Sequence, residues 1–382
     1  MYRCGDARWC TVPGGLTRAR GGDRREPGRG DDVVQATVES VLVAGRGPMA
    51  CAVVRACARL GVKSVAVHSE SERDARHVRM ADEAVLLGPA PATESYLDVR
   101  RIVEAARRTR VDAVLPVPPA LAGNARLAAA VVDAGLTWVG PDAEVLERLG
   151  GDGVEPASER GFLAWVSAEG LHHVTPVLRD RAGGTPRVSW TPPAGLGPLP
   201  AAARRLPELG WRGLVTVGIA PDGELAEVAA GFSLDMAVLE RAHNVDAVEL
   251  TLRSVTGEPS GPVQEVGVPR AAVAVQLRST LPPGTAGRVT GRLPDIPARS
   301  GRRPLLGAEV VAVGGYEPGD RLDGWYDALL ATVSAAAPSA ARAAAAATEV
   351  LTGLPETGVP HDGAAVCSVL HRIAGSLVPD CS

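Results

Sequence analysis

The densest set of residues able to do chemistry lies near the front of the chain. Gly45-Arg46-Gly47-Pro48-Met49-Ala50 follows an apolar run and has the form G-x-G-x-x-A. Glycines in such a turn let backbone N–H groups approach a pyrophosphate at a helix N-terminus, which is dinucleotide chemistry. Many α/β folds place glycines there without any nucleotide, so the turn by itself reads as structural. Asp74 and His77 have the types of an acid–base pair and read as a satisfied surface pair. His172-His173 sits in an expected strand, where neighbouring side chains point to opposite faces and cannot chelate one metal. Asp320, Asp323 and Asp327 form a loose acidic set that reads as solvated loop charge. The six cysteines show no C-x-x-C spacing, so neither zinc nor a disulfide framework is supported. A reducing cytoplasm is the expected setting.

These residues sit on a pattern of alternating elements. Val41-Leu42-Val43-Ala44 predicts a buried strand, and residues 49–60 predict a helix closed by Gly61. Strands at 64–67, 113–115 and 137–139, with helices at 98–109 and 123–134, complete a doubly wound α/β domain. Residues 1–37 are rich in Gly, Arg and Asp without periodicity, and are expected to be disordered or a start ahead of the true domain. Residues 161–200 are Pro-rich and less regular. Residues 207–260 return to strand, turn, strand and helix, and 268–315 read as several short strands. The run 335–347 is mostly Ala and predicts a helix of high propensity. With 382 residues, a net charge of −4 and no long uncharged apolar run, the chain carries neither a nucleic-acid footprint nor a membrane span.

Longer stretches resemble one enzyme family, the biotin carboxylases. Its first turn, ANRGEIA, corresponds to Ala44-Gly45-Arg46-Gly47-Pro48-Met49-Ala50. Its SEAD-RDA-HV-LADEA resembles Ser69-Glu70, Arg73-Asp74-Ala75 and His77-Val78-Arg79-Met80-Ala81-Asp82-Glu83-Ala84. Gly88-Pro89-Ala90, Ser95-Tyr96-Leu97, Gly135-Leu136-Thr137 and Val139-Gly140-Pro141 match further family runs. Near the other end, Trp325-Tyr326-Asp327-Ala328-Leu329-Leu330-Ala331 resembles YYD-x-LLAK. Chance does not produce that series.

The resemblance implies a fold of three parts: a pre-ATP-grasp (Rossmann-like) N-terminal domain at 38–150, a reduced ATP-grasp remnant without its lid at 151–262, and a biotin-carboxylase C-terminal α+β domain at 263–382. It also implies losses. The family's first Lys corresponds to Gly153, and Phe162-Leu163-Ala164-Trp165-Val166 with Arg179-Asp180 already resembles sequence that lies beyond the lid. Gly210-Trp211-Arg212-Gly213 sets a register in which the first magnesium Glu becomes Gly218. The family's run from its second magnesium Glu to a later Asp spans as many positions as Glu227 to Asp246 (246 − 227 = 19). Glu227 is thus the remnant Mg/ATP position, while a family Asn becomes Ala229, an Arg becomes Gly231 and the VEH triplet becomes Leu234-Asp235-Met236. A further Arg falls near Val311 and the Lys of LLAK at Thr332.

ATP and magnesium are therefore implied by resemblance only, no cofactor is expected, and no residue is assigned as catalytic. Homodimerisation, or a heteromer with carboxylase subunits, is the expected partnership. Two functions remain open at this point: a degenerate homologue acting as a regulatory or structural partner, and an ATP-dependent ligase with an altered site. A nucleotide-binding module using the Gly45 turn is the third.

Overall fold

A computed structural model describes residues 38–149, 156–182, 185–256, 269–298, 305–326 and 328–375. The expectations for residues 1–37, Gly153 and Asp327 lie outside them.

The first domain is built as its periodicity requires. Strand β1 (Ser40–Ala44) has four fully buried apolar residues and runs into α1 (Gly47–Leu60) through the Gly45 turn. Pro48 opens that helix, where a missing N–H costs nothing, and Gly61 ends it in the left-handed region at φ 71°. There follow β2 (Lys63–Ser69), α2 (Arg76–Met80), β3 (Glu83–Gly88), α3 (Val99–Thr109), β4 (Ala113–Pro116), α4 (Pro119–Ala122), α5 (Ala125–Asp133), β5 (Thr137–Trp138) and α6 (Ala143–Leu149). Asp98 and Asn124 cap α3 and α5 by accepting from Arg101 N and Leu127 N. The five strands form a parallel sheet in the order β3-β2-β1-β4-β5.

The rest of the chain is organised by one antiparallel sheet. Its strands are β6 (Arg160–Val166), β7 (Leu171–Ala182), β8 (Thr185–Trp190), β9 (Gly213–Ile219), β10 (Leu225–Ala229), β11 (Ala271–Arg278), β13 (Glu309–Gly314) and β15 (Leu329–Ala337). The order is β10-β9-β6-β7-β8-β11-β15-β13, and β12 (Gly287–Arg288) pairs separately with β14 (Arg321–Leu322). Helices α7 (Ala201–Arg204), α8 (Leu234–His243), α9 (Ala247–Thr256), α10 (Ala340–Thr352) and α11 (Gly363–Gly375) complete the set. Because β8 pairs with β11, the sheet is continuous from residues before 257 to residues after 268. Among described residues 156–206 there is no separate α/β subdomain.

Two expectations are corrected here. Residues 161–200 are not irregular but supply β6, β7 and β8. The buried face of β7 carries His173, Thr175, Val177 and Arg179, so three polar residues hide the apolar alternation. The alanine run is not all helix, since residues 335–337 finish β15 and α10 starts at Ala340. Alanine has high helix propensity, but pairing with both β11 and β13 overrides it until Pro338.

Candidate functional site

Glu227 lies on β10 directly across from Gly218 on β9. Its Oε2 accepts hydrogen bonds from Ser158 N at 3.1 Å and Ser158 Oγ at 2.9 Å. A Cβ built on Gly218 would come within 2.5 Å of that same oxygen and 2.9 Å of Ser158 Oγ. The space where a second carboxylate would begin is thus filled by the first. Among the described residues no group of three His, Cys, Asp or Glu side chains could hold a metal ion.

Ser158 continues the network into the sheet. Its carbonyl accepts from Arg179 Nη1 at 2.9 Å, while Arg179 Nη2 donates to the Val217 carbonyl at 3.3 Å. Arg179 Nε and Nη2 both donate to Asp235 Oδ2, at 2.8 and 2.7 Å, and Ser189 Oγ donates to Asp235 Oδ1 at 2.6 Å. The two charged side chains are 1% and 2% exposed. A buried pair of this kind is tolerated because its charges face each other and most of its N–H groups and oxygens are hydrogen-bonded. Asp235 also lies in the first turn of α8, where the helix dipole favours an anion. Sequence reading named Arg179 and Asp235 separately but missed that they pair.

The other positions at which the resemblance implies a change have local structural settings. Gly231 has φ 89°, and its Cβ would meet Ala122 Cβ at 2.6 Å. Ala229 is buried, Thr332 is buried on β15, and Val311 stands on β13.

The retained motif residues converge elsewhere, on a buried cluster. Arg46 Nε lies 3.0 Å from both oxygens of Glu72, its Nη2 is 2.6 Å from Oε1, and Nη2 donates to Tyr316 Oη at 3.3 Å. Tyr96 Oη donates to Glu72 Oε2 at 2.6 Å. Tyr326 packs edge-on against Tyr96, lies under the Arg46 guanidinium at 4.6 Å, and donates to the Ala90 carbonyl. Burial alone would raise Glu72, but the adjacent Arg46 charge and hydrogen bonds hold it below the usual carboxylate range. The same burial, with the Glu72 charge, pushes the Tyr96 phenol well up. This cluster is a charged and aromatic seam between the first domain and the segment after β13. Glu72 and Tyr316 had no sequence signal.

The remaining candidates separate. His77 is corrected: it is not on the surface but buried, donating Nε2–H to the Val67 carbonyl at 3.2 Å, while Asp74 is exposed. Burial pushes His77 down to about 4. His172 lies against Trp165, and His173, in the left-handed region at φ 52°, against His243, so the two rings have different partners. Asp320 is not simply solvated, since Arg79 binds it at 3.0 Å and it accepts from Glu317 N. Gly45 has a packing reason, because its Cβ would meet Val117 Cβ at 2.5 Å.

The family pattern described as biotin carboxylase, N-terminal domain, matches residues 37–146. The first domain belongs to that family. Over 113 residues the chain is 49% identical to a biotin carboxylase of Pseudomonas aeruginosa, covering 30% of this chain and 25% of that protein. Over 121 residues it is 40% identical to the human mitochondrial propionyl-CoA carboxylase alpha chain, covering 32% and 17% respectively. The chain thus matches about a quarter or less of these relatives' length. Solved structures extend the likeness of fold. A single-chain, multi-domain long-chain acyl-CoA carboxylase aligns over 89% of this chain and 40% of its own, with TM-score 0.72 and 24% identity. The biotin carboxylase domain of Hydrogenobacter thermophilus 2-oxoglutarate carboxylase, a dimer solved with MgADP and bicarbonate, aligns over 88% and 94%, with TM-score 0.72 and 19% identity. The biotin carboxylase fold accounts for both sheets. Among the described residues no helix is long and apolar enough to cross a membrane.

Proposed function

We propose that this chain is a catalytically degenerate biotin carboxylase homologue, acting as a structural or regulatory partner of a carboxylase, in a homodimer or in a heteromer with carboxylase subunits. The observation that carries the reading is Glu227, whose carboxylate is bound to Ser158 over Gly218. Magnesium holds nucleotide phosphates through hard oxygen ligands in near-octahedral geometry. One carboxylate already engaged by a serine, with glycine opposite, does not fit that ion. Phosphoryl transfer rests on positioning and on cations facing the developing charge. Losing a single such stabilising group typically costs roughly 10²–10³ in rate. Here Gly218, Ala229, Gly231 and Val311 stand where the resemblance places groups of the site, and Arg179 is neutralised by Asp235.

The test is isothermal titration with MgATP beside a bicarbonate- and biotin-dependent ADP-release assay. The expected result is weak or absent binding without turnover, and capture of a carboxylase when the protein is purified from its native host. Micromolar MgATP binding with turnover that disappears in Glu227→Gln would instead establish an active ligase with an altered site.

A further inference from the structure

A cavity of about 700 Å³ lies between α1, the turn joining α8 to α9, and β13. That size is within the range of small-molecule sites, roughly 300–1,000 Å³. Its walls combine apolar side chains, among them Ala56, Leu60, Val310 and Val311, with several charges. Most of those charges are already balanced. Arg55 pairs with Asp295, Arg59 with Asp246, Glu249 with Arg253 and Glu309 with Arg270. Asp246 also caps α9, accepting from Val248 N and Glu249 N.

Two neighbours are left, Glu240 and Arg241. Glu240 accepts from Ala247 N at 3.0 Å and makes no ion pair with Arg241, and burial raises its carboxyl to about 7, so near neutrality it is about half ionised. Arg241 makes no ion pair or hydrogen bond among the described residues, and its Nε is buried without a partner. The cavity therefore holds, beside an apolar wall, a guanidinium that no anion contacts directly among the described residues. A buried N–H without an acceptor costs free energy, and a bound anion reaching Arg241 would supply the acceptor.

We propose that this cavity binds a small organic carboxylate, with its anionic head on Arg241 and its apolar body between α1 and β13. An inorganic anion would leave the apolar wall unused, and a neutral lipid would leave Arg241 without its counter-charge. The proposal uses Arg241 and the apolar wall and neither Glu227 nor a nucleotide, so it stands whether or not the chain cleaves ATP, although Val311 lies in both settings.

The experiment titrates the full chain calorimetrically with decanoate, decanol and decylammonium. Decanoate should bind at least about tenfold tighter than decanol, since charge-assisted hydrogen bonds are the strong ones. Arg241→Ala should erase that preference while leaving the melting temperature close to unchanged, because the side chain holds no other group. Arg241→Lys should keep part of it, a readout that loss of fold would not give. Equal binding of decanoate and decanol, no binding of either, or a preference that survives Arg241→Ala would each overturn the proposal. So would loss of decanoate binding as the chain self-associates, which would make a second copy the occupant.

Discussion

Tyr326 meets Tyr96 edge-to-face, with ring centroids 5.2 Å apart and planes at 88°. The two belong to sequence blocks at opposite ends of the chain that resemble the same family, and Arg46 from a third block lies over the Tyr326 ring. The motifs that survive are therefore the ones that pack on each other. Their presence together has a structural explanation, because each block supplies a surface that another needs. Selection for a folded chain is enough to preserve this seam.

Removing Tyr96 should cost more than removing Tyr326. Tyr96 is buried and donates to Glu72, whereas Tyr326 is only half-buried. Tyr96→Ala should cost about 3–5 kcal/mol, the range for a buried aromatic, and Tyr96→Phe about 1–3 kcal/mol, because Glu72 loses a donor. A double-mutant cycle between the two tyrosines should show about 0.5–1.5 kcal/mol of coupling. Denaturant unfolding that finds the two changes additive would mean the ring contact contributes nothing.

Placing a carboxylate at position 218 should not create a metal site. In Gly218→Glu the new Cβ would collide with Glu227 Oε2 and Ser158 Oγ, and two carboxylates would compete for one space. The variant should be less stable than the parent by about 1–3 kcal/mol, as for other overpacked sites. Calorimetry should show no tightening of MgATP. A gain in magnesium-dependent nucleotide binding would refute the steric argument.

Breaking the buried ion pair should be severe, and replacing it whole should not. Asp235→Ala leaves Arg179 buried beside a gap and should cost about 3–5 kcal/mol. The pair replacement Arg179→Met with Asp235→Leu should recover most of that loss, since buried pairs rarely outperform apolar packing. Thermal unfolding of the single and double variants compares them directly. A double variant as unstable as Asp235→Ala would show that the Ser158 and Val217 carbonyls depend on the guanidinium.

The first domain was legible because its signals agree. Four apolar residues in β1, a helical apolar face in α1, and Gly61 in the left-handed region all point one way. The antiparallel sheet was harder, since β7 buries His173, Thr175 and Arg179, whose satisfaction depends on residues distant in sequence. Alanines 335–337 carry helix propensity yet lie in β15, decided by neighbours on both sides. At the site, Glu227 and Gly218 could be aligned from sequence, but Ser158 could not be seen as the group that holds Glu227. Arg179 and Asp235 lie 56 positions apart, and only the fold brings them together.

The last prediction concerns pH and Glu240. Its carboxyl titrates at about 7 in the folded chain against about 4.5 when unperturbed, because burial disfavours the charged form. The folded state therefore holds this proton more tightly than the unfolded state. The resulting stability is fully present below pH about 4.5 and is lost as pH rises through about 7. Glu240→Gln mimics the protonated form and keeps the oxygen that accepts from Ala247 N. It should match the parent at pH 4.5 and exceed it at pH 8, by on the order of 1 kcal/mol once partial solvent screening of the side chain is allowed for. Denaturant midpoints measured across that range decide the matter. A difference constant with pH would mean the substitution acts through packing, and a parent that gains stability on going from pH 5 to pH 8 relative to Glu240→Gln would reverse the assignment of burial as the cause.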